Sequence, residues 1–239
     1  MKVLFSGPSL TDADRAAFPG LVHRGPAARG DLLDAVEAGA EAVGIVDGLF
    51  GSTPAIWHKE IVHALSLGVR VAGGASMGAL RAAECAAFGM VGVGAVYWRF
   101  ASGAELDDGY VAQIHAPAEL GWAALSETQA VVDLTLAVLA RRGTITPVER
   151  VALAEASRAV HHADRRLADL PARAGFDGGR ADELRALLRA GRIDRKRRDA
   201  LKVARWLEAR PPGRLPPPTD WTFNATSQWL GFLAERAGR

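Results

Sequence analysis

Residues 69–84 read VRVAGGASMGALRAAE. The apolar run from Val69 to Gly74 is typical of a buried strand, and the alanine-rich run that begins at Met77 is typical of a helix. The glycines and the serine between the two runs predict a tight strand-to-helix turn. Ser76 lies there in a G-x-S-x-G frame, which fits three roles: a nucleophile, an anion cradle, or the cap of a buried helix.

Similar strand and helix patterns precede this stretch. Apolar strands are predicted at Lys2–Ser6 and Ala42–Gly48, and helices at Gly30–Gly39 and from Pro54 to Gly68. Apolar strands separated by helices of this length are typical of a parallel sheet with right-handed crossovers. The predicted fold class is therefore α/β, an open and mostly parallel sheet with helices on both faces, followed by a helical, basic C-terminal region.

Three further elements are predicted after the glycine-rich turn. Val91–Phe100 is apolar enough for another strand, and residues 107–116, DDGYVAQIHA, suit an edge strand. The run SETQAVVDLTLAVLARRG then predicts a helix with Ser126 as its N-cap.

The chain changes in composition and charge near its middle. An α/β core domain is predicted at 1–143, and a helical region with a proline-rich linker near 211–218 is predicted at 144–239. Residues 1–140 carry 8 basic and 15 acidic side chains, whereas residues 141–239 carry 21 and 12. This asymmetry favours an acidic protein partner for the basic part, although solvated arginine-rich helix faces explain it equally well. No nucleic-acid partner is predicted, because interleaved aromatics and zinc-ligand spacing are lacking.

Several classes of protein are excluded by composition. The single cysteine, Cys85, rules out an internal disulfide and a cysteine-based metal cage. No apolar window approaches the roughly 18 residues of a membrane span, and the N-terminal MKVLFSG reads as a strand and not as a signal peptide. We expect a cytoplasmic protein with no membrane association and no cofactor.

Polar turns follow three of the predicted strands, at residues 6–9, 47–48 and 73–76. Ligands of open parallel sheets bind beyond the carboxyl ends of the strands, so we expect these turns to converge on one edge. Backbone N–H groups at the start of a helix there stabilise an oxyanion. The candidate binding residues of these turns are Ser6, Gly7, Ser9, Gly74, Ala75, Met77 and Gly78.

Four residues are candidates for catalysis. Ser76 is the candidate nucleophile, and His58 is a general base near neutral pH or an ordinary, partly buried histidine. Asp47 ends an apolar strand, where its carboxylate is either functional or satisfied by backbone N–H groups. Glu60 either caps its helix or serves the site.

Charged residues nearby add candidate anion contacts, Lys59 and Arg81. Arg81 and Glu84 are spaced i, i+3, which fits a structural ion pair or an anion-binding guanidinium with its orienting carboxylate. Asp107 and Asp108 suit a metal pair or a turn. Without a third ligand, no metal site is predicted.

Several longer motifs of the chain are specific: they are GPSL (7–10), GD (30–31), IVDGLF (45–50), AIWHKEIVHAL (55–65) and above all GASMGALRAAECAAFGMVGVG (74–94). Through these motifs the chain resembles the TfuA-like core domain over about residues 1–130. In this family D-D-E-V-A is common where the chain has DDGYVA at 107–112, so no carboxylate role is carried over to Gly109.

The resemblance implies a partner of YcaO enzymes, which use ATP to activate backbone amides and install thioamides, as in ribosomally synthesised peptides. It implies sulfur supply, in which the C-terminal thiocarboxylate of a ubiquitin-like sulfur carrier is hydrolysed and sulfide is released. The precursor peptide is then only an indirect partner. In this chemistry Ser76 is expected to attack, with His58 as the base and Asp47 or Glu60 orienting it. Alternatively, Ser76 only binds the carboxylate and an activated water attacks. The alternatives are a non-catalytic docking or activating subunit of YcaO and a stand-alone serine esterase.

Overall fold

The computed structural model describes residues 1–49, 51 and 53–238; Phe50, which ends the IVDGLF motif, lies outside them. The strands of its sheet are β1 (Lys2–Phe5), β2 (Val22–Arg24), β3 (Ala42–Ile45), β4 (Arg70–Gly74) and β5 (Val91–Val93). They lie in the order β2-β1-β3-β4-β5, and every strand pairs with its neighbours in parallel. The predicted parallel α/β sheet is thus confirmed, with a short strand, β2, that was not predicted.

Helices connect the strands and make up most of the chain after residue 128. Within the described residues, none is both long and apolar enough to cross a bilayer. The helices are α1 (Asp12–Ala16), α2 (Asp31–Glu37), α3 (His58–Ser66), α4 (Met77–Glu84), α5 (Ala95–Ala101), α6 (Gln129–Arg141), α7 (Pro147–Arg158), α8 (Leu170–Arg173), α9 (Gly178–Ala190), α10 (Arg195–Glu208) and α11 (Ser227–Ala237).

Alternate strand residues face opposite sides of the sheet, and helices cover both sides as predicted. Val3 and Phe5 belong to one core cluster, which includes the apolar faces of α2 and α3. Leu4, between them, packs with Val203 and Leu207 of α10 on the other side. A helix from the basic C-terminal region is therefore part of the core of the sheet domain, while the boundary near residue 143 stays a prediction.

The junction between β4 and α4 is packed backbone against backbone. A Cβ atom at Gly78 would overlap the carbonyl group of Ile45, and one at Gly73 would overlap the carbonyl of Gly78. The Gly78 N–H donates to the carbonyl of Val46 at 3.1 Å. The glycines of this stretch therefore bring the start of α4 against the end of β3.

The strand predicted at Val91–Phe100 is wrong beyond Val93. Gly94 adopts a left-handed conformation with φ +95°, and α5 begins at the next residue. The N–H of Val96 donates to the Asp199 carboxylate of α10 at 3.1 Å, which gives an acceptor to the first turn of α5. A tertiary contact with a distant residue thus favours the helical state of this apolar run.

The edge strand predicted at residues 107–116 is also wrong. Residues Asp108–Tyr110 form a 3-10 turn, and Asp107 caps it by accepting from the N–H of Gly109 at 2.8 Å. The rest of the segment is irregular apart from an isolated bridge between His115 and Ala124. This run therefore crosses the carboxyl edge of the sheet as a loop.

Two helix starts differ from the predicted ones. Helix α3 begins at His58 and not near Pro54, because Trp57 occupies the N-cap position and its N–H donates to Glu60. Helix α6 is capped by Thr128, whose hydroxyl accepts from the Val131 N–H. The predicted cap, Ser126, accepts instead from the loop residue Ile114.

The substitution Gly78→Ala is expected to lower the free energy of unfolding by about 3 kcal/mol, because its methyl group has to displace the backbone of β3. Gly231→Ala is the matched control, since that helical glycine has open space around it and gains up to about 1 kcal/mol in helix propensity. Urea unfolding followed by circular dichroism measures both. Equal stability of the two variants would contradict the close packing of α4 on β3.

Candidate functional site

A cavity of about 190 Å³ lies beyond the carboxyl ends of the strands. Pro8, Asp47 and Ser76 line it, so the predicted convergence of three turns on one edge is confirmed. The loop at residues 107–116 closes another side, and α10 contributes one residue. Its polar lining includes Asp47, Ser76, Gln113, His115 and Lys196.

Asp47 is buried at the base of this cavity. Its Oδ2 accepts from the backbone N–H groups of Gly7 at 2.8 Å and Ser9 at 3.0 Å, and its Oδ1 accepts from the Ser9 hydroxyl at 2.7 Å. Of the two interpretations left open by the sequence, backbone satisfaction describes these contacts. The carboxylate joins the end of β3 to the turn that follows β1.

Lys196 of α10 places an ammonium group beside this carboxylate. Its Nζ lies 3.6 Å from Asp47 Oδ1 and donates to Gln113 Oε1 at 2.7 Å. The basic run of α10 gave no reason to single out one lysine. The available signal is helical spacing, because Lys196 precedes the buried Ala200 by four residues and Val203 by seven, which places it on the buried face.

Ser76 is the N-cap residue of α4 and lies against the cavity. Its hydroxyl does not cap the helix but donates to the carbonyl of Val111 at 3.4 Å. The preceding residue, Ala75, has φ +67°, a left-handed conformation that costs an L-residue about 1 kcal/mol.

Most N–H groups at the start of this helix are engaged. That of Gly78 donates to the Val46 carbonyl at 3.1 Å, and that of Ala79 donates to the Ser76 carbonyl at 2.8 Å. The Met77 N–H, in contrast, has no acceptor among the described residues.

His115 is the imidazole that lines the cavity with Ser76. Its Nδ1 lies 2.9 Å from the carbonyl oxygen of Ala116, and a carbonyl only accepts, so Nδ1 carries the hydrogen. In the neutral ring Nε2 is then the unprotonated nitrogen, as a general base requires. His115 is not among the candidates from the sequence, because an edge strand is predicted at 107–116.

His58 lies elsewhere. Its Nε2 is 2.8 Å from Glu84 Oε2 and 3.2 Å from Arg81 Nη1, and it lines a separate hollow of about 520 Å³ beside Trp57. Among the described residues, neither Asp47 nor Ser76 is a hydrogen-bond partner of His58. The structure therefore does not assemble the expected Ser76–His58–Asp47 triad.

Glu60 is not at the cavity either. Its carboxylate is fully buried and accepts from the N–H groups of Gly30 at 2.8 Å and Trp57 at 3.2 Å. Burial raises the pKa of Glu60 to about 7, against the effect of these two hydrogen bonds. Its contacts are those of a helix cap that links α2 to α3.

The remaining candidate anion contacts are engaged within the chain. Lys59 donates to the carbonyl of Asn224, and Arg81 donates to the carbonyl of Ile56 at 3.1 Å and to Glu84 at 2.7 Å. The Arg81–Glu84 ion pair is the structural alternative that the sequence left open.

The predicted turn residues divide into two groups. Ser6 is buried and lies 3.4 Å from Arg15 Nε, while Gly7 and Ser9 act through Asp47. The residues that serve the junction of β4 with α4 are Gly74, whose carbonyl accepts from Ser76 N–H at 2.8 Å, Ala75 and Gly78. Met77 is the one of these candidates that lines the cavity directly, together with Ser76 and Asp47.

Comparison with known proteins gives one match. A family model described as TfuA-like protein covers residues 47–166, half of the chain. The matched segment contains Asp47, Ser76 and His115, and it ends before α10 and Lys196. No curated protein matches the chain.

Asp47→Asn is expected to lower the free energy of unfolding by about 3 kcal/mol, because it leaves the buried Lys196 ammonium without its counter-charge. The amide keeps one oxygen for the N–H groups of Gly7 and Ser9 and places an N–H₂ group beside the Ser9 hydroxyl, so the loss of charge is the main effect. Asp12→Asn is the control, since that side chain is 89% exposed and costs less than about 0.5 kcal/mol. Chemical denaturation at neutral pH compares the two, and similar losses would show that Asp47 is not a structural tie.

The buried Glu60 is expected to make stability fall as pH rises. In the folded protein its pKa is about 7, above the 4.5 of an exposed glutamate, so the folded state binds the extra proton between these values. Relative to Glu60→Gln, which does not titrate, the wild type is expected to lose on the order of 2 kcal/mol from pH 5 to about 8. The exposed Glu119→Gln is the control and follows the wild type. A constant difference between wild type and Glu60→Gln over this range would contradict the shift.

Proposed function

Because the chain belongs to the TfuA-like family, we propose that it supplies sulfur for YcaO-dependent thioamide formation by hydrolysing a protein thiocarboxylate. The substrate is the C-terminal thiocarboxylate of a ubiquitin-like sulfur carrier, and the released sulfide serves the YcaO enzyme. A ribosomally synthesised precursor peptide is the final acceptor. The observation that carries the proposal is one cavity, lined by Ser76, His115 and the first residue of α4.

The proposed reaction proceeds in two balanced steps. The Ser76 hydroxyl oxygen attacks the thiocarboxylate carbon, the C–S bond breaks, and the hydroxyl proton leaves with the sulfur as HS⁻. Water then attacks the resulting ester, which gives the carrier carboxylate, regenerates the serine and releases a proton. His115 is the base in this scheme, because it lines the same cavity as Ser76 and no hydrogen-bond partner among the described residues engages its Nε2. Nε2 takes the Ser76 proton and passes it to the sulfur.

The start of α4 suits the charge that develops in these steps. A tetrahedral intermediate places negative charge on the former carbonyl oxygen, and the positive end of the helix dipole together with the Met77 N–H suits such a charge. Ala75, with its positive φ, lies directly before Ser76 in this turn, and strained residues of this kind cluster at functional sites.

The size of the cavity suits a narrow chain end. About 190 Å³ is enough for a terminal residue or two without large side chains, and small residues such as Gly48 and Ala112 line it. The Gly-Gly tail that the family resemblance implies for the carrier fits such a slot. A stand-alone esterase for bulky acyl groups fits it poorly.

One observation favours the alternative of a docking or activating subunit of YcaO. The hydrogen-bond partner of the Ser76 hydroxyl is the carbonyl of Val111 and not a base. In that case the cavity binds the carrier tail without cleaving it, and the YcaO enzyme performs the sulfur transfer. A measurement without YcaO separates the two functions.

Sulfide release from a thiocarboxylated carrier, in the absence of YcaO, tests the proposal. Ser76→Ala is expected to lower the rate at least about 100-fold, because the nucleophile is lost. Carrier binding is retained, since the cavity keeps its shape. Ser102→Ala is the control, because that serine is exposed and its hydroxyl donates to the carbonyl of Arg99 in α5. No release by the wild type would favour the docking subunit.

The same assay distinguishes the two imidazoles. His115→Asn is expected to lower sulfide release roughly 100-fold, because the proposed base is lost. His58→Asn keeps most of the activity, because its contacts with Glu84 and Arg81 lie outside the cavity. Loss of activity in His58→Asn alone would move the catalytic site to the hollow beside Trp57.

A further inference from the structure

The ammonium group of Lys196 makes fewer hydrogen bonds than a buried charge usually does. The residue is only 4% exposed, and its Nζ has three hydrogens to donate. Gln113 accepts one of them, and Asp47 Oδ1, at 3.6 Å, is beyond hydrogen-bond distance. Within the described part of the chain, the contacts of Lys196 provide no acceptor for the other two hydrogens.

The neighbouring carboxylate does not fill this need. Both oxygens of Asp47 are engaged by Gly7 and Ser9, at 2.7 to 3.0 Å. The ion pair therefore neutralises charge over a distance while the hydrogen-bonding capacity of the ammonium stays available. A desolvated cation in this condition is stabilised by an anion that enters the same space.

The space beside Lys196 is the cavity that Ser76 and Met77 line. The ammonium and the N-terminus of α4 both present positive charge to it. A neutral chain end would leave the ammonium donors unpaired, whereas a carboxylate or thiocarboxylate accepts from them. Two independent features thus favour the same class of ligand.

We propose that Lys196 is the positioning residue that recognises the terminal anion of the bound chain, so the cavity selects a carboxylate-type terminus over a neutral one. The inference rests on the proposed function for the identity of the chain, a sulfur carrier. It extends that function in two ways. The C-terminal region becomes part of the binding site, and the carboxylate product binds to the same group, so it competes with the thiocarboxylate substrate.

Binding of a defined probe tests this inference without turnover. A bacterial ubiquitin-like sulfur carrier ending in Gly-Gly is prepared as an intein thioester and converted either to the free carboxylate or to the carboxamide. The wild type is expected to bind the carboxylate form at least about tenfold more tightly than the carboxamide. Lys196→Met is expected to bind both forms equally, because the group that senses the charge is lost.

Lys202→Met is the matched control, because it removes a positive charge from the same helix at a side chain that pairs with Asp199. This variant is expected to keep the preference for the carboxylate. The double variant Lys196→Met with Asp47→Asn guards against misfolding, since it leaves no unpaired charge. It is expected to stay folded by circular dichroism and to lack the preference, which separates recognition from a merely structural ion pair.

Two results would overturn the inference: a wild type without preference for the carboxylate, or a Lys196→Met variant that retains it. Sulfide release by a wild type that shows no such preference would remove the role of Lys196 and leave the proposed hydrolase. A charge preference that depends on Lys196, without sulfide release, would support the inference and remove the hydrolase.

Discussion

The buried carboxylate of Asp47 is the interaction on which the functional edge of the sheet depends. It follows β3, accepts from the turn after β1, and faces the ammonium of Lys196 on α10. These three segments come from different parts of the chain, and residues of each line the cavity. A carboxylate without these partners would be costly to bury at the end of an apolar strand.

This arrangement makes the basic C-terminal region part of the sheet domain. Val203 and Leu207 of α10 pack against one face of the sheet, and Asp199 of the same helix accepts from the first turn of α5. The family match ends at residue 166, so the helix that completes the cavity lies outside the matched segment. At least one basic residue of the C-terminal region, Lys196, therefore has a role inside the fold, whatever partner the other basic residues meet.

Much of the fold followed from the sequence, because apolar strands and helical spacing are local properties. The convergence of the three turns followed as well, since parallel strands place their carboxyl ends on one edge. The identity of the imidazole beside Ser76 did not follow, because it depends on the path of the loop at 107–116. Likewise, the helix that begins after Gly94 is favoured by a carboxylate more than a hundred residues away, which no local pattern reveals.

The central claim is that this chain itself cleaves a thiocarboxylate at the cavity beside Asp47. The most direct measurement incubates the thiocarboxylated carrier with the protein, without YcaO, in water labelled with heavy oxygen, and follows the carrier by intact mass spectrometry. The account predicts a carrier whose terminal sulfur is replaced by a single labelled oxygen, faster than in the protein-free control. Loss of sulfur from the carrier no faster than in the protein-free control would contradict the account.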